Sequence, residues 1–182
     1  EDVVVELFRY AAAKPQAAAE PDQLVPTELQ VEDTAKFSIK LQGARSTRRA
    51  EPLERQETLT HYLIGTQADW RTDVANFKRV RYKEVLPGVD LEYYGRDGRL
   101  EYDFVLQPGV DASVIRLEFE GARGVSVNEV GELVIDLGRQ QIVQRAPVSY
   151  QLDHAGQRLA VASHYTVSNG LVGLHVEDQD SA

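Results

Sequence analysis

The chain has 182 residues, of which 29 are acidic and 20 are basic, so its formal net charge is −9 at pH 7. Such a negative field repels phosphate backbones and disfavours nucleic acid as a partner. Cysteine is absent, which excludes disulfides, thiolate metal sites and cysteine nucleophiles. No apolar run approaches the roughly 20 residues that a membrane-spanning helix needs, so membrane insertion is not expected.

Short runs in which apolar and polar residues alternate dominate the chain. In order, they lie at residues 3–10, 36–41, 100–106, 115–120, 133–137 and 172–176. This period of two is typical of strands with one buried and one wet face. Helical patterning is scarce, with one short turn expected around Asp69-Trp70. We therefore predict an all-β, hairpin-rich fold, an antiparallel β-sandwich of two packed sheets with little helix.

Turn residues separate these runs. Asn169-Gly170 is a strong two-residue hairpin signal, because both residues tolerate positive φ. Further hairpin turns are expected at residues 95–98, 128–131 and 154–156, and tight turns at Pro87-Gly88 and Pro108-Gly109. Two stretches break the rhythm and are predicted to be loops: residues 11–26, rich in alanine and proline, and the strongly charged residues 44–56.

The length suits one large domain or two small ones. We predict a single β-rich domain over residues 1–182, with halves 1–64 and 65–182 as the alternative. The chain has no methionine and begins Glu-Asp-Val-Val-Val, which favours an internal or processed piece of a longer protein.

Carboxylates gather around one predicted hairpin and include Asp90, Glu92, Glu101 and Asp103. Several hard oxygens suit calcium, so Asp90, Glu92 and Asp103 are calcium candidates. Two carboxylates on adjacent strands are also the arrangement of a glycosidase acid–base pair. A solvated strand face explains the same pattern without any ligand, and the spacing of a calcium loop is absent. No cofactor is therefore expected, with calcium left open.

Aromatic and basic residues cluster in the same third of the chain. Exposed aromatic rings stack on sugars and anchor protein partners, and Trp70, Tyr82 and Tyr94 are the candidates for such a surface. Core packing is the alternative for these rings. Arg79 and Arg81, which share one strand face with Lys83, are candidates for binding an anionic partner. Their other explanation is ion pairing with acidic residues on the next strand.

Catalytic motifs are not evident in this sequence. No two of the four histidines, at positions 61, 154, 164 and 175, stand at the spacing of a known metal motif. No Gly-x-Ser-x-Gly nucleophile elbow or phosphate-binding glycine loop occurs. We expect a protein that is not an enzyme and has no metal ligands beyond the calcium candidates.

Between residues 62 and 121 the chain contains a series of short motifs in a fixed order. They are Tyr62-Leu63-Ile64-Gly65, Trp70-Arg71-Thr72-Asp73-Val74, Val80-Arg81-Tyr82, Pro87-Gly88-Val89-Asp90-Leu91, Leu100-Glu101-Tyr102-Asp103-Phe104, Pro108-Gly109 and Phe119-Glu120-Gly121. Their order resembles an uncharacterised β-rich domain of bacterial exported proteins that commonly precedes SBBP-type β-propeller repeats. His61 stands where that family usually has asparagine.

The resemblance implies export, an extracellular or cell-surface location and a multidomain context, and it supplies no catalytic residues. Together with the strand pattern it indicates a non-catalytic structural or binding module. Such a module would act in adhesion or extracellular assembly and would pair its edge strands with other domains of the same polypeptide or neighbouring subunits. The alternative is a carbohydrate-binding or glycoside-cleaving module that recognises surface glycans.

Overall fold

The computed structural model describes residues 3–10, 31–45, 49–96 and 99–177. Fourteen strands are assigned there, together with two 3-10 turns at Gln67–Asp69 and Ala112–Val114. In chain order the strands are β1 (Val3–Tyr10), β2 (Val31–Leu41), β3 (Ala50–Tyr62), β4 (Arg71–Leu86), β5 (Val89–Arg96), β6 (Arg99–Leu106), β7 (Arg116–Glu120), β8 (Gly124–Val127), β9 (Leu133–Asp136), β10 (Gln141–Gln144), β11 (Ser149–Leu152), β12 (Arg158–Val161), β13 (Ser163–Ser168) and β14 (Leu171–Val176).

The predicted all-β, antiparallel and hairpin-rich class is confirmed. Every strand pair in the described residues is antiparallel, and the regular helical structure there amounts to the two short 3-10 turns. The turn expected at Asp69-Trp70 is the first of them. No helix in the described part of the chain is long and apolar enough to cross a bilayer.

The chain divides into two compact units, Gly43–Val114 and the described residues within Asp2–Gln42 and Ile115–Ala182. This division differs from the halves 1–64 and 65–182 considered from the sequence. A boundary at residue 64 would fall between β3 and β4, which pair with each other over most of their length. The predicted loop 11–26 lies outside the described residues.

The first unit is a four-stranded meander in the order β3-β4-β5-β6. The prediction of a loop over residues 44–56 is wrong for its second half, because β3 begins at Ala50. The charges that suggested a loop are cross-strand partners: Glu51 binds Lys83 of β4 at 2.9 Å, and Glu54 binds Arg79 at 2.9 Å. Opposite charges on facing strands stabilise a sheet, so a charged segment can be a strand.

The two faces of this sheet differ in chemistry, as the alternation requires. One face is apolar and includes the buried Val89 and Leu91 together with half-buried tyrosines. The other is charged. The turn that joins β4 to β5 needs Gly88, because its φ is 72° and a Cβ there would lie 2.7 Å from the Val110 side chain.

The second unit contains a five-stranded sheet in the order β1-β2-β7-β14-β13, a three-stranded sheet β10-β9-β8 and the hairpin β11-β12. The predicted Asn169-Gly170 hairpin joins β13 to β14. Both turn residues have positive φ, 51° and 77°, the conformation expected of a tight two-residue turn.

The core of the second unit lies between its larger sheets. Buried side chains project from one face of the five-stranded sheet and from β9, namely Phe37, Leu117, Phe119, Tyr165, Val172, Leu133 and Ile135. The Tyr165 hydroxyl accepts a hydrogen bond from Gln144 at the end of β10 and donates one to the Arg145 carbonyl. Two sheets that share a core in this way form the predicted sandwich.

Candidate functional site

The charged face of the first unit contains one compact group of side chains, Glu92, Arg79, Arg81, Tyr94 and Asp103, called here the Glu92 cluster. The strand register assembles it, because Glu92 of β5 stands opposite Arg81 of β4 on one side and Asp103 of β6 on the other. Tyr94 is likewise paired with Arg79. Residues directly opposite each other in a sheet project from the same face, so all five side chains meet there.

Glu92 is the centre of the cluster and is only 6% exposed. Arg81 donates through Nε to Oε1 at 2.8 Å and also through Nη2, while Arg79 Nη1 donates to Oε2 at 3.2 Å. Both carboxylate oxygens therefore have guanidinium partners. A buried carboxylate is tolerable in a sheet only when it is compensated in this way.

Arg79 connects the cluster to both neighbouring strands. Besides Glu92, its guanidinium binds Glu54 of β3 at 2.9 Å and lies 4.0 Å from Asp103 of β6. Burial opposes the charge on Arg79, but the hydrogen bond to Glu92 and the three nearby carboxylates outweigh it and raise the pKa of the guanidinium. The predicted pairing of the basic strand residues with acidic neighbours is confirmed.

Tyr94 lies against the same arginine. The Arg79 guanidinium carbon is 4.3 Å from the centre of the Tyr94 ring, a cation–π arrangement, and the Tyr94 hydroxyl donates to Asp103 Oδ1 at 2.9 Å. Burial, followed by the hydrogen bond to Asp103, raises the pKa of Tyr94 to about 12. The phenol is thus a fixed donor at neutral pH.

The raised pKa of Tyr94 predicts a loss of stability in alkali. Folding favours the neutral phenol, so its contribution is complete below the ordinary tyrosine pKa of 10.0 and is lost as pH rises towards about 12. Urea midpoints measured between these pH values should fall for the parent chain and fall less for Tyr94→Phe. Equal slopes for the two proteins would contradict the assignment.

The candidate aromatic residues do not form one surface. Tyr82 lies on the opposite, apolar face of the sheet, where aromatic side chains of β4, β5 and β6 form a row of neighbouring rings. Tyr82 and Tyr93 are 6.1 Å apart at 88°, Tyr93 and Tyr102 are 6.1 Å apart at 53°, and Tyr102 and Phe104 are 5.8 Å apart at 80°. Such tilted and edge-on rings pack against each other. Tyr93 and Tyr94, which are adjacent on β5, therefore lie on opposite faces of the sheet.

Trp70 stands apart from both groups. It follows the 3-10 turn Gln67–Asp69, directly before β4, and is 43% exposed. Asp69 fixes this turn by accepting hydrogen bonds from the Thr66 hydroxyl at 2.7 Å and the Thr66 amide at 3.1 Å. Those two bonds lower the pKa of Asp69. The tryptophan is thus presented at a defined turn.

The three calcium candidates have other partners. Glu92 is held by the two arginines, Asp103 accepts from Tyr94, and Asp90 Oδ1 accepts from the Glu84 amide at 2.8 Å. Within the described ranges, no three histidine, aspartate or glutamate side chains are grouped so that they could hold a metal ion. The paired arginines also occupy the oxygens of Glu92 that a glycosidase acid or nucleophile would need.

The structure also brings together two histidines that were not predicted to be neighbours. His164 and His175 are directly opposite each other on β13 and β14, with ring centroids 4.8 Å apart. A signal was present in the sequence, because both histidines are equally far from the predicted Asn169-Gly170 turn. An antiparallel hairpin places such residues face to face.

Comparison with known proteins adds one finding. No curated protein matches this chain, and no solved structure matches it either. A family model does match, over residues 3–182, which is nearly the whole sequence. Its description is that of a domain of unknown function, DUF7948. The chain therefore belongs to the DUF7948 family, an uncharacterised domain whose member here is an antiparallel β protein.

Proposed function

We propose that this chain is a non-catalytic interaction module that binds a partner strand along the outer edge of β6. The feature that supports this proposal is the regularity of that edge. β5 and β6 pair over eight consecutive residue pairs without a register shift, and within the described ranges no strand pairs with the far side of β6. A long, regular edge is a template for strand addition.

The hydrogen-bond pattern of β6 shows which of its backbone groups point towards β5 and which point away from it. The Gln107 amide donates to the Gly88 carbonyl at 2.9 Å, so this pair is of the hydrogen-bonded type. Bonding alternates along an antiparallel pair, and Glu101, Asp103 and Val105 therefore bond towards β5. The backbone groups of Leu100, Tyr102, Phe104 and Leu106 point away from the sheet.

The opposite edge of the same sheet has features that discourage strand addition. β3 contains Pro52, which lacks an amide proton, and Glu54, which has a positive φ of 54°. Its pairing with β4 also shifts register twice. Proline, irregular backbone and charge are the means by which proteins protect sheet edges. β6 has neither a proline nor a lysine.

The side chains of β6 define the chemistry of the partner. Glu101 and Asp103 project from the charged face and are about two-fifths exposed, while Leu100, 65% exposed, projects from the apolar face. A second β6 would oppose acidic residues to acidic residues, which is unfavourable. The partner strand we propose has basic side chains on one face and apolar ones on the other.

A substitution at Leu100 tests this proposal. Leu100→Pro removes an outward amide and leaves the ladder to β5 intact, whereas Leu100→Ala keeps the amide. Two probes would be titrated: an eight-residue peptide alternating valine with lysine and one alternating valine with glutamate. We expect the lysine peptide to bind and to protect the Phe104 amide from exchange.

The same titration gives the decisive comparison between variants. Leu100→Pro should weaken binding of the lysine peptide by about tenfold or more, because one edge hydrogen bond is lost and the bonds next to it are disturbed. Leu100→Ala should stay within about threefold of the parent. Equal binding by all three proteins would show that the peptide is attracted by charge alone, and strand addition would be rejected.

The setting we propose follows from the resemblance described above. The module acts in exported or cell-surface bacterial proteins, where the partner strand belongs to a neighbouring subunit or another domain of the same polypeptide. Assembly or adhesion would be the outcome. Fractionation of cells that produce the full-length protein, followed by detection of this domain, tests the location; recovery only from the cytoplasm would contradict it.

A glycan-binding role is the second candidate, and the exposure of Trp70 favours it. Indole rings at a defined turn stack on sugars. Trp70 is the single tryptophan of the chain, so its fluorescence reports directly on this surface. A panel of polysaccharides should perturb the emission if the role is real. An unchanged spectrum across the panel would dismiss it and leave the strand-addition proposal untouched.

A further inference from the structure

His164 and His175 form a close pair on the solvent-facing side of the β13–β14 hairpin. Their rings are 4.8 Å apart between centroids and inclined by 48°, and both residues are exposed. The adjacent residues Tyr165 and Leu174, which also face each other, project from the opposite face, where Tyr165 is buried. The alternation of the strands thus directs both imidazoles outwards.

We propose that His164 and His175 together bind a divalent transition-metal ion such as Zn²⁺ or Cu²⁺. Imidazole nitrogens are common protein ligands for both ions. A metal–nitrogen bond of about 2.0–2.1 Å, plus roughly 1.1 Å to the ring centre, places two rings about 5 Å apart on a tetrahedral ion. A right angle between the bonds gives about 4.5 Å. The observed 4.8 Å lies between these values.

The hairpin holds the two rings at this separation before any ion arrives. β13 and β14 pair without a shift over six residue pairs, and the ladder continues beyond the histidines, where the Glu177 amide donates to the Ala162 carbonyl at 2.9 Å. Below the pair, the buried Tyr165 anchors β13 to the core. Ligands that are positioned in advance lose little freedom on binding.

Gly173 and Thr166 lie beside the histidine pair on the same face of the hairpin. Gly173 precedes His175 by two residues on the same face, opposite Thr166, and a Cβ there would lie 2.8 Å from Thr166 Oγ1. The Thr166 side chain therefore packs over Gly173. Because no third acidic or histidine ligand is grouped with the pair in the described ranges, the remaining coordination positions would be taken by water or by a ligand from outside. The ion would tie the edge strand β13 to β14.

Titration of the metal-free chain with zinc chloride, and separately with copper(II) chloride, tests the proposal. One ion should bind per chain with micromolar affinity, and His164→Gln or His175→Gln should each weaken it at least about tenfold. The matched control is His154→Gln, which removes an exposed histidine from the β11–β12 turn. It should leave the affinity within about twofold of the parent.

A second readout needs no variant and remains valid if a variant misfolds. In the unaltered chain, zinc should shift the imidazole resonances of His164 and His175 and leave those of His61 and His154 in place. The proposal is overturned if both variants bind like the parent, if His154→Gln loses affinity equally, or if neither ion shows saturable binding up to about a millimolar.

Discussion

Replacing Glu92 with glutamine is expected to lower the free energy of unfolding by about 2–4 kcal/mol. The carboxylate is buried, and its two oxygens accept hydrogen bonds from Arg79 and Arg81. Glutamine has nearly the same shape, but it carries no charge to compensate the two guanidiniums. These are about one-third exposed, which places the expected loss below that of a fully buried ion pair.

Urea denaturation of the parent and Glu92→Gln measures this effect. Glu57→Gln is the matched control, because it makes the same chemical change on an exposed position of β3 in the same sheet. The control should change stability by less than about 0.5 kcal/mol. If Glu92→Gln and Glu57→Gln unfold at the same midpoint, the buried charge of Glu92 does not stabilise this face of the sheet.

The second large effect concerns the core of the sandwich. Leu133 is fully buried in β9, the central strand of the three-stranded sheet, and Leu133→Ala should cost about 3 kcal/mol. The loss combines the transfer free energy of the missing methyl groups with the cavity that they leave. A site held between strands on both sides has little freedom to collapse.

Leu152→Ala provides the comparison for Leu133→Ala. Leu152 lies in β11 of the same unit and is largely exposed, so its truncation should alter the unfolding midpoint only slightly. Thermal or urea unfolding of both variants gives the two values. Similar losses at the two positions would mean that Leu133 is not packed in a dry core.

Much of the fold was predictable from local sequence. The alternation around Leu100–Leu106 and the turn residues Asn169-Gly170 each determine a structure within a few residues of themselves, and both are found as predicted. The segment that became the first part of β3 was misinterpreted, because its charges are typical of loops. Only pairing with β4, 25 to 32 residues later in the chain, gives Glu51 and Glu54 their partners.

The candidate site was predictable in part for the same reason. Arg79, Arg81 and Tyr94 were identified, and the register places them around Glu92. Tyr82 lies on the other face of the sheet, because side chains alternate strictly between the two faces along a strand. The sequence could not show that Glu92 is buried, because burial depends on three strands aligning at once. The histidine pair required combining a turn prediction with a count along both strands.

Amide hydrogen exchange along β6 in the free chain tests the central proposal most directly. The amides of Glu101, Asp103 and Val105 donate towards β5, whereas the Phe104 amide points away from β5. We predict that the Phe104 amide exchanges at least about tenfold faster than those of Glu101, Asp103 and Val105. Equal and strong protection of all four amides would show that the edge is already covered, and would contradict a role for β6 in binding a partner strand.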